Sequence, residues 1–326
     1  MENSPEFPYL MAEKTAQNNR TQTHGKNMTK IGKPAKRKTS AGRAKTLKHA
    51  SSISFSGIAG SYSDMSCRAM FPRARTLPCV TFDDAFAALN DGRVDLAMIP
   101  IENAIAGRVA DVHHLIPRMQ GLHVVAEHFQ PVEFCLLGTK DSTLKTLTHV
   151  HSHVMALPQC RKATRALGLK EVTHEDTAGA AEMIAKKADP TQGALASALA
   201  AELYGLKILK RGIQNTQDNV TRFVVFSKEK VVPDVSVPCL TAFIFVGKSI
   251  PAFLYKVLGA FATNQINFTK IESYVEDFRA AHFYCEVEGH PDERRMQLAF
   301  DEVAFYTTND YRILGTFPQA KFRLNK

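Results

Sequence analysis

Three histidines alternate along the stretch THVHSHVMALPQCR, at His149, His151 and His153, and Cys160 follows them. On an extended strand that spacing turns three imidazoles to one side, an arrangement from which a metal site can be built. A catalytic zinc also wants carboxylates that orient its ligands, and nothing acidic stands nearby. His113 and His114 would fall on different parts of a helical face. Packing at a strand end accounts for the alternating histidines, and no metal is expected.

Three further segments carry polar groups at places where chemistry is commonly done. GIAGSYS, residues 57–63, follows one strand and opens a helix, so its backbone N–H groups can face an anion. It lacks the third glycine and the lysine of nucleotide-binding fingerprints, and a tight turn is an equally good reading. MIPIENAIAGRVADVHHLIP, residues 98–117, ends an apolar strand in Pro100 and then places Glu102 and Asn103 where open α/β sheets present ligand groups. Glu102 has the chemistry of a general acid, although capping and turn bonding are commoner uses of such a carboxylate. DNVTRFVVF, residues 218–226, sets Thr221 and Arg222 at the head of a β-branched and aromatic strand.

These groups need elements to hold them. From Ile53 onward short β-rich runs alternate with helical patterns. ISFSGI precedes a helix from Ser61, VDLAMIP one from about Gly107, LTHVHS one over MALPQCRKATRAL, and KEVTH one opened by Asp176. The alternation predicts an α/β architecture with mostly parallel sheets. In TFDD, Asp84 stands three residues after Thr81, the spacing of a capping box. After Ser227 two prolines and lost periodicity mark a linker. LTAFIFVG, PAFLYKVLGAFATN, INFTKIESYV, AAHFYCEVEG, PDERRMQLAFDEVAFY and YRILGTFP then read as βαββαβ, the ferredoxin-like α+β order. The resulting domains are 1–50, a basic extension expected to be disordered, 51–228, a linker at 229–239, a small module at 240–318 and a tail at 319–326.

The net charge of +9 suggests nucleic acid until the charges are located. Residues 1–50 hold 11 Lys and Arg against 3 Glu, a surplus of 8, so the basicity belongs to that segment and no nucleic-acid partner is expected. It is loosely compatible with an organellar transit peptide, though Met11 and Met28 are also possible starts. No apolar run approaches the ~20 residues of a membrane span, so a soluble protein with no membrane partner is expected. Six scattered cysteines with no CxxC pair read as reduced core residues of a cytoplasmic protein.

Taken together, PIEN, SHxxxxxQC, NxTRF and the C-terminal INFTKIES occur in an order that resembles prephenate dehydratase, from residue 53 to about 318. The resemblance implies a two-lobed catalytic domain over 51–228, similar to periplasmic solute-binding proteins, with the chain leaving the first lobe near Gln130 and returning through the TRF strand. It implies an ACT regulatory domain over 240–318. The implied reaction removes carbon dioxide and the ring hydroxyl from prephenate, giving phenylpyruvate for phenylalanine biosynthesis. Aromatisation drives it, so no cofactor is expected. Arogenate as true or second substrate is the alternative, as is a non-catalytic amino-acid sensor.

By the same resemblance Thr221 would donate a hydrogen bond or relay a proton at the leaving hydroxyl, and Arg222 would pair with a substrate carboxylate or orient the site. Asn103, Ser152 and Gln159 would bind the substrate's polar groups, with Gly60, Ser61 and Ser63 adding donors. Ser152 and Gln159 belong to the stretch that carries the three histidines, so the resemblance gives that stretch a use without metal. L-phenylalanine would be an allosteric inhibitor bound by Ala252, Phe253, Leu254, Glu272 and Ser273, in a homodimer or homotetramer. Ala252-Phe253 departs from the family's Gly-Ala-Leu-Leu pattern and Tyr274-Val275 from its Arg-Pro, which implies weakened feedback.

Overall fold

The computed structural model describes residues 47, 49–276 and 280–324, so the basic extension assigned to 1–50 lies almost wholly outside the described residues. Three sheets organise the rest. The first is built from β1 (Ser52–Ser56), β2 (Arg75–Cys79), β3 (Leu96–Asn103), β5 (His123–Pro131) and β11 (Val220–Ser227), in the order β2-β1-β3-β11-β5, with the short β4 (Gly107–Arg108) paired to β3. The second has the order β10-β6-β9-β7-β8, from β6 (Cys135–Gly138), β7 (His149–His153), β8 (Lys170–His174), β9 (Gln192–Ala196) and β10 (Lys207–Lys210). Two crossing segments join these sheets, residues 132–134 outward and 211–219 back.

The parallel expectation needs correction. β1 runs parallel to β2 and β3, and β7 parallel to β8 and β9, but β11 is antiparallel to both of its neighbours and β6 to both of its own. The returning chain enters the first sheet from the opposite end, so its direction is reversed. Of the elements that escaped the sequence pattern, two did so for plain reasons. β2 reads RTLPC, with a proline tolerated because the strand is at the sheet edge. β9 reads QGALA, without β-branched residues to mark it.

Helices start where the local chemistry directs. Ser61 caps α1 (Tyr62–Met70) by accepting from the Asp64 N–H. Thr81 and Asp84 form the predicted capping box at α2 (Phe82–Asn90). α3 (Ala110–Leu115) and α4 (Leu157–Ala166) begin without a side-chain cap, whereas Asp176 caps α5 (Thr177–Lys187) and Ser197 caps α6 (Ala198–Tyr204).

The third sheet, in the order β13-β14-β12-β15, comprises β12 (Cys239–Gly247), β13 (Phe268–Glu276), β14 (Ala280–Glu288) and β15 (Thr307–Pro318). α7 (Phe253–Thr263) and α8 (Arg294–Tyr306) contribute to the core on one of its faces, where Phe243, Phe261, Phe283 and Phe300 pack. The other face shares a core with the first sheet: Leu240, Ala242, Tyr284, Leu314 and Phe317 join Ile99, Ile101, Val124, Val224 and Phe226. β15 approaches β5 so closely that a Cβ at Gly315 would collide with the Val124 carbonyl. Residues 319–326, read as a tail, instead carry α9 (Lys321–Leu324), whose Phe322 stacks on Phe129 with ring centres 4.5 Å apart.

Candidate functional site

β3 and β11 lie side by side with Thr221 opposite Asn103 and Arg222 opposite Glu102. Because successive residues of a strand point to opposite faces, this register sorts the four side chains into two pairs. Thr221 and Asn103 share one face. Arg222 and Glu102 share the face turned toward the C-terminal sheet.

The first pair is part of a chain of amides. Asn103 Nδ2 donates to Thr221 Oγ1 at 2.9 Å and to Asn219 Oδ1 at 2.7 Å, while Asn103 Oδ1 accepts the N–H groups of Ile105 and Ala106. Asn219 in turn donates to Gln159 Oε1 at 2.6 Å. Gln159 Nε2 donates to the Met155 carbonyl. A residue on helix α4 is thereby tied through the returning crossover to the end of β3 and to Thr221. The hydroxyl of Thr221 receives a hydrogen bond at oxygen, which leaves its own proton to be directed elsewhere. That is the geometry of a donor held ready for a ligand.

Asn103 thus acts on Thr221, and its polar atoms already have protein partners. Asn219, 1% exposed, had no role in the sequence reading. Its position two residues before Thr221, on the same strand face, was the available signal. Ser152 is fully buried and donates to the Leu195 carbonyl at 2.7 Å, so its hydroxyl serves the second sheet rather than an open cleft. The GSYS turn is held from the second lobe: Ser197 donates to the Gly60 carbonyl, Tyr204 to the Ala59 carbonyl, and Tyr62 reaches the Glu133 carbonyl. Gly60 has φ +84°, and a Cβ there would meet the Ala200 backbone at 2.9 Å. Ser61 serves as a cap and Ser63 is half-buried at the start of α1. Ser152 and this turn therefore bond to other groups than the amide chain.

The histidines have separate partners. His149 bonds Thr148, His151 bonds Gln192 at 2.7 Å, and His153 accepts from the Met155 N–H. Burial, with the Glu171 carboxylate adding to it, pushes the Cys160 thiol up to about 12.

Arg222 corrects the expectation of a substrate carboxylate. Its side chain is 2% exposed and occupied by three of the protein's own carboxylates: Nε donates to Glu127 at 2.8 Å, Nη1 to Glu102 at 3.0 Å, and Nη2 lies 2.7 Å from Glu286 in an ion pair too bent for a good hydrogen bond. Burial disfavours its charge, but Glu286 and Glu127 outweigh that and hold the guanidinium protonated. Glu127 is also held by Arg323 at 2.9 Å and by the Ala320 N–H. Lys270 from β13 bridges Glu102 at 2.8 Å and Glu272 at 3.0 Å, and Arg108 reaches Glu272 at 3.3 Å.

Of the residues assigned to phenylalanine, Glu272 therefore faces the first lobe between two cations. Ala252 begins α7 in the left-handed region, φ +56°. Phe253 lies over Gly247 and edge-on to Phe283, and Leu254 packs against the same core. Ser273 is exposed. No helix among the described residues is long and apolar enough to cross a membrane, and all six cysteines are buried free thiols.

Comparison with known proteins bears on this geometry. The family model described as prephenate dehydratase matches residues 53–231. A bifunctional N-acyl-homoserine lactone acylase/prephenate dehydratase of Komagataeibacter europaeus is 44% identical over 274 residues, covering 83% of this chain and 97% of that one. An arogenate dehydratase/prephenate dehydratase of Arabidopsis thaliana, chloroplastic, is 37% identical over 82% of this chain and 68% of its own. Among solved structures, a prephenate dehydratase of Arthrobacter aurescens in complex with L-Phe is similar with a TM-score of 0.77 at 25% identity, covering 83% of this chain and 90% of that chain.

Proposed function

Since this chain belongs to the prephenate dehydratase family, lyases of aromatic amino acid biosynthesis, we propose that it converts prephenate to phenylpyruvate. The observation that carries the reading is the Thr221 hydroxyl, whose oxygen is occupied by Asn103 and whose proton is available. In the reaction the pair of electrons from the breaking carboxylate bond closes the aromatic ring as the ring hydroxyl departs. Carbon dioxide leaves, and the hydroxyl takes up one proton to leave as water.

Thr221 donates its hydrogen bond to that hydroxyl as negative charge develops on it, the point at which a fixed donor lowers a barrier most. A threonine is too weak an acid to be the final proton source, so it positions and relays. Gln159, Asn219 and Asn103 hold its oxygen in place, and the hydroxyls of Ser61 and Ser63 supply donors to the substrate's carboxylates, whereas the Gly60 N–H expected to do so is already given to the buried Asp64 carboxylate at 2.9 Å. No cofactor is needed for a reaction driven by aromatisation.

Arogenate is the second reading, favoured by the naming of the Arabidopsis relative. The domain at 240–318 is read as an ACT module and binds L-phenylalanine as inhibitor, supported by the L-Phe complex of the Arthrobacter protein. Its strand β13 is a sheet edge, available for pairing in a homodimer or homotetramer. The buried thiols fit a cytoplasmic location, which cell fractionation tests against the chloroplastic address of the plant relatives.

The deciding experiment gives purified protein prephenate, arogenate and an N-acyl-homoserine lactone separately and identifies the products. Phenylpyruvate from prephenate supports the proposal. Phenylalanine from arogenate with no turnover of prephenate replaces it, and hydrolysis of the lactone alone ends it.

A further inference from the structure

The charged side chains behind the site strands meet partners from the C-terminal sheet. Arg222 and Glu102 lie immediately next to Thr221 and Asn103 in the chain, and face Glu286 of β14 and Lys270 of β13. Glu286 and Lys270 are themselves cross-strand neighbours. Glu102 is gripped at both oxygens, Oε1 by Arg222 and Oε2 by Lys270. Lys270 is 7% exposed on its side chain. A lysine this buried is costly unless its charge is met, and Glu102 and Glu272 meet it.

The place of this grip matters. The pairing of β3 with β11 is irregular here: Arg222 faces Glu102, but Phe223 faces Pro100, so one residue of β3 is extra. A bulge of this kind bends the strand and re-aims the side chains beyond it, and Asn103 is the residue beyond it. Beyond the bulge the ladder resumes, Glu102 and Asn103 pairing with Arg222 and Thr221 on one side and with Arg108 and Gly107 of β4 on the other, so the re-aimed end of β3 is set by the angle at which it leaves the bulge. The clamp on Glu102 fixes that angle from behind, one residue from Asn103. Burial favours protonation of Glu102, yet Lys270 and Arg222 together outweigh it and lower its pKa, so the clamp is ionic.

We propose that Lys270, in the C-terminal sheet, is a positioning residue of the dehydratase site, fixing Glu102 so that Asn103 and the Thr221 hydroxyl keep their productive geometry. The proposal rests on the dehydratase reading above. It makes the C-terminal module a structural part of the active site in each chain, and any ligand that shifts β13 reaches Thr221 through this lysine.

The test compares wild type, Lys270→Gln, Lys270→Arg, Glu102→Gln and the Lys270→Gln/Glu102→Gln double variant by steady-state kinetics on prephenate or arogenate, with thermal unfolding alongside. Lys270→Gln is expected to lose kcat by about tenfold or more, the scale of a misplaced catalytic group, with KM changed by less than about twofold because uniform binding is untouched. Lys270→Arg restores most of the loss. The double variant is expected to be no slower than Glu102→Gln, since the lysine acts only through that carboxylate. Unchanged kcat in Lys270→Gln overturns the proposal, and so does a further loss in the double variant. The double variant removes both charges, so its comparison with Glu102→Gln decides the point even if the single lysine variant does not fold. A wild type that turns over neither substrate ends the dehydratase reading itself, and the proposal with it.

Discussion

Replacing Arg222 by methionine tests the buried charge cluster directly. The volume is roughly kept while three ion pairs are lost. Their survivors differ. Glu102 keeps Lys270, and Glu127 keeps Arg323 and the Ala320 N–H. Glu286, with no exposed side-chain surface, keeps among the described residues only the Tyr284 hydroxyl and Arg323 at 4.0 Å. One carboxylate of the three is left buried without adequate compensation. Breaking a buried pair in this way costs about 3–5 kcal/mol, and because two of the three carboxylates retain good partners the expected loss is at the low end, about 3 kcal/mol. With a urea m-value of about 3 kcal/mol/M for a protein of this size, the midpoint falls by about 1 M. The chain has no tryptophan, so unfolding is followed by far-ultraviolet circular dichroism. If the stranded carboxylate is the cause, Arg222→Met combined with Glu286→Leu recovers most of the loss. A shift under about 0.3 M, or a double variant no more stable than the single one, refutes the reasoning.

Thr221→Val is expected to lower kcat by about 10²–10³ with unfolding nearly unchanged, as for removal of one transition-state donor; near-normal turnover removes its assigned role. Burial, reinforced by the charge of Lys270, lowers His113 to about 4, so the folded protein binds no proton there between about pH 4 and 6.5 whereas the unfolded chain does. Stability should therefore decline as pH falls from 6.5 to 4, by up to about 3 kcal/mol from this group, and His113→Leu should flatten that part of a pH series of urea midpoints. Ala252→Gly relieves a left-handed alanine and should raise Tm by roughly 2 °C; a fall in a calorimetric scan would show that Ala252 is not strained.

Some of this was legible in the residues and some was not. The capping box at Thr81 was local, set by two side chains three residues apart, and so was the βαββαβ order. The pairing of Thr221 with Asn103 was not, because register between strands more than a hundred residues apart leaves no mark in either segment. Adjacent Thr221 and Arg222 read as a single functional unit in one dimension. The pleat sends them to opposite faces, one toward Asn103 and one into the carboxylates of Glu127 and Glu286. Glu127, Lys270, Glu286 and Arg323 are individually unremarkable in the sequence, since only the packing of the third sheet on the first removes their charges from water.

The strand order of the first sheet has a bearing on biogenesis. β11 sits between β3 and β5, yet it is synthesised only after the entire second lobe. While the ribosome makes residues 132–219, the facing edges of β3 and β5 have no partner in the nascent chain, and β3 is strongly apolar while β5 carries the apolar run Val124–Ala126. Unpaired apolar edges are the surfaces from which aggregation starts, and closing the gap requires contacts of long sequence separation, which form slowly. The last strand to be inserted is also the one bearing Thr221. A chain interrupted anywhere in the second lobe is therefore left sticky and catalytically silent at once, and its dependence on chaperones during synthesis should end when β11 emerges.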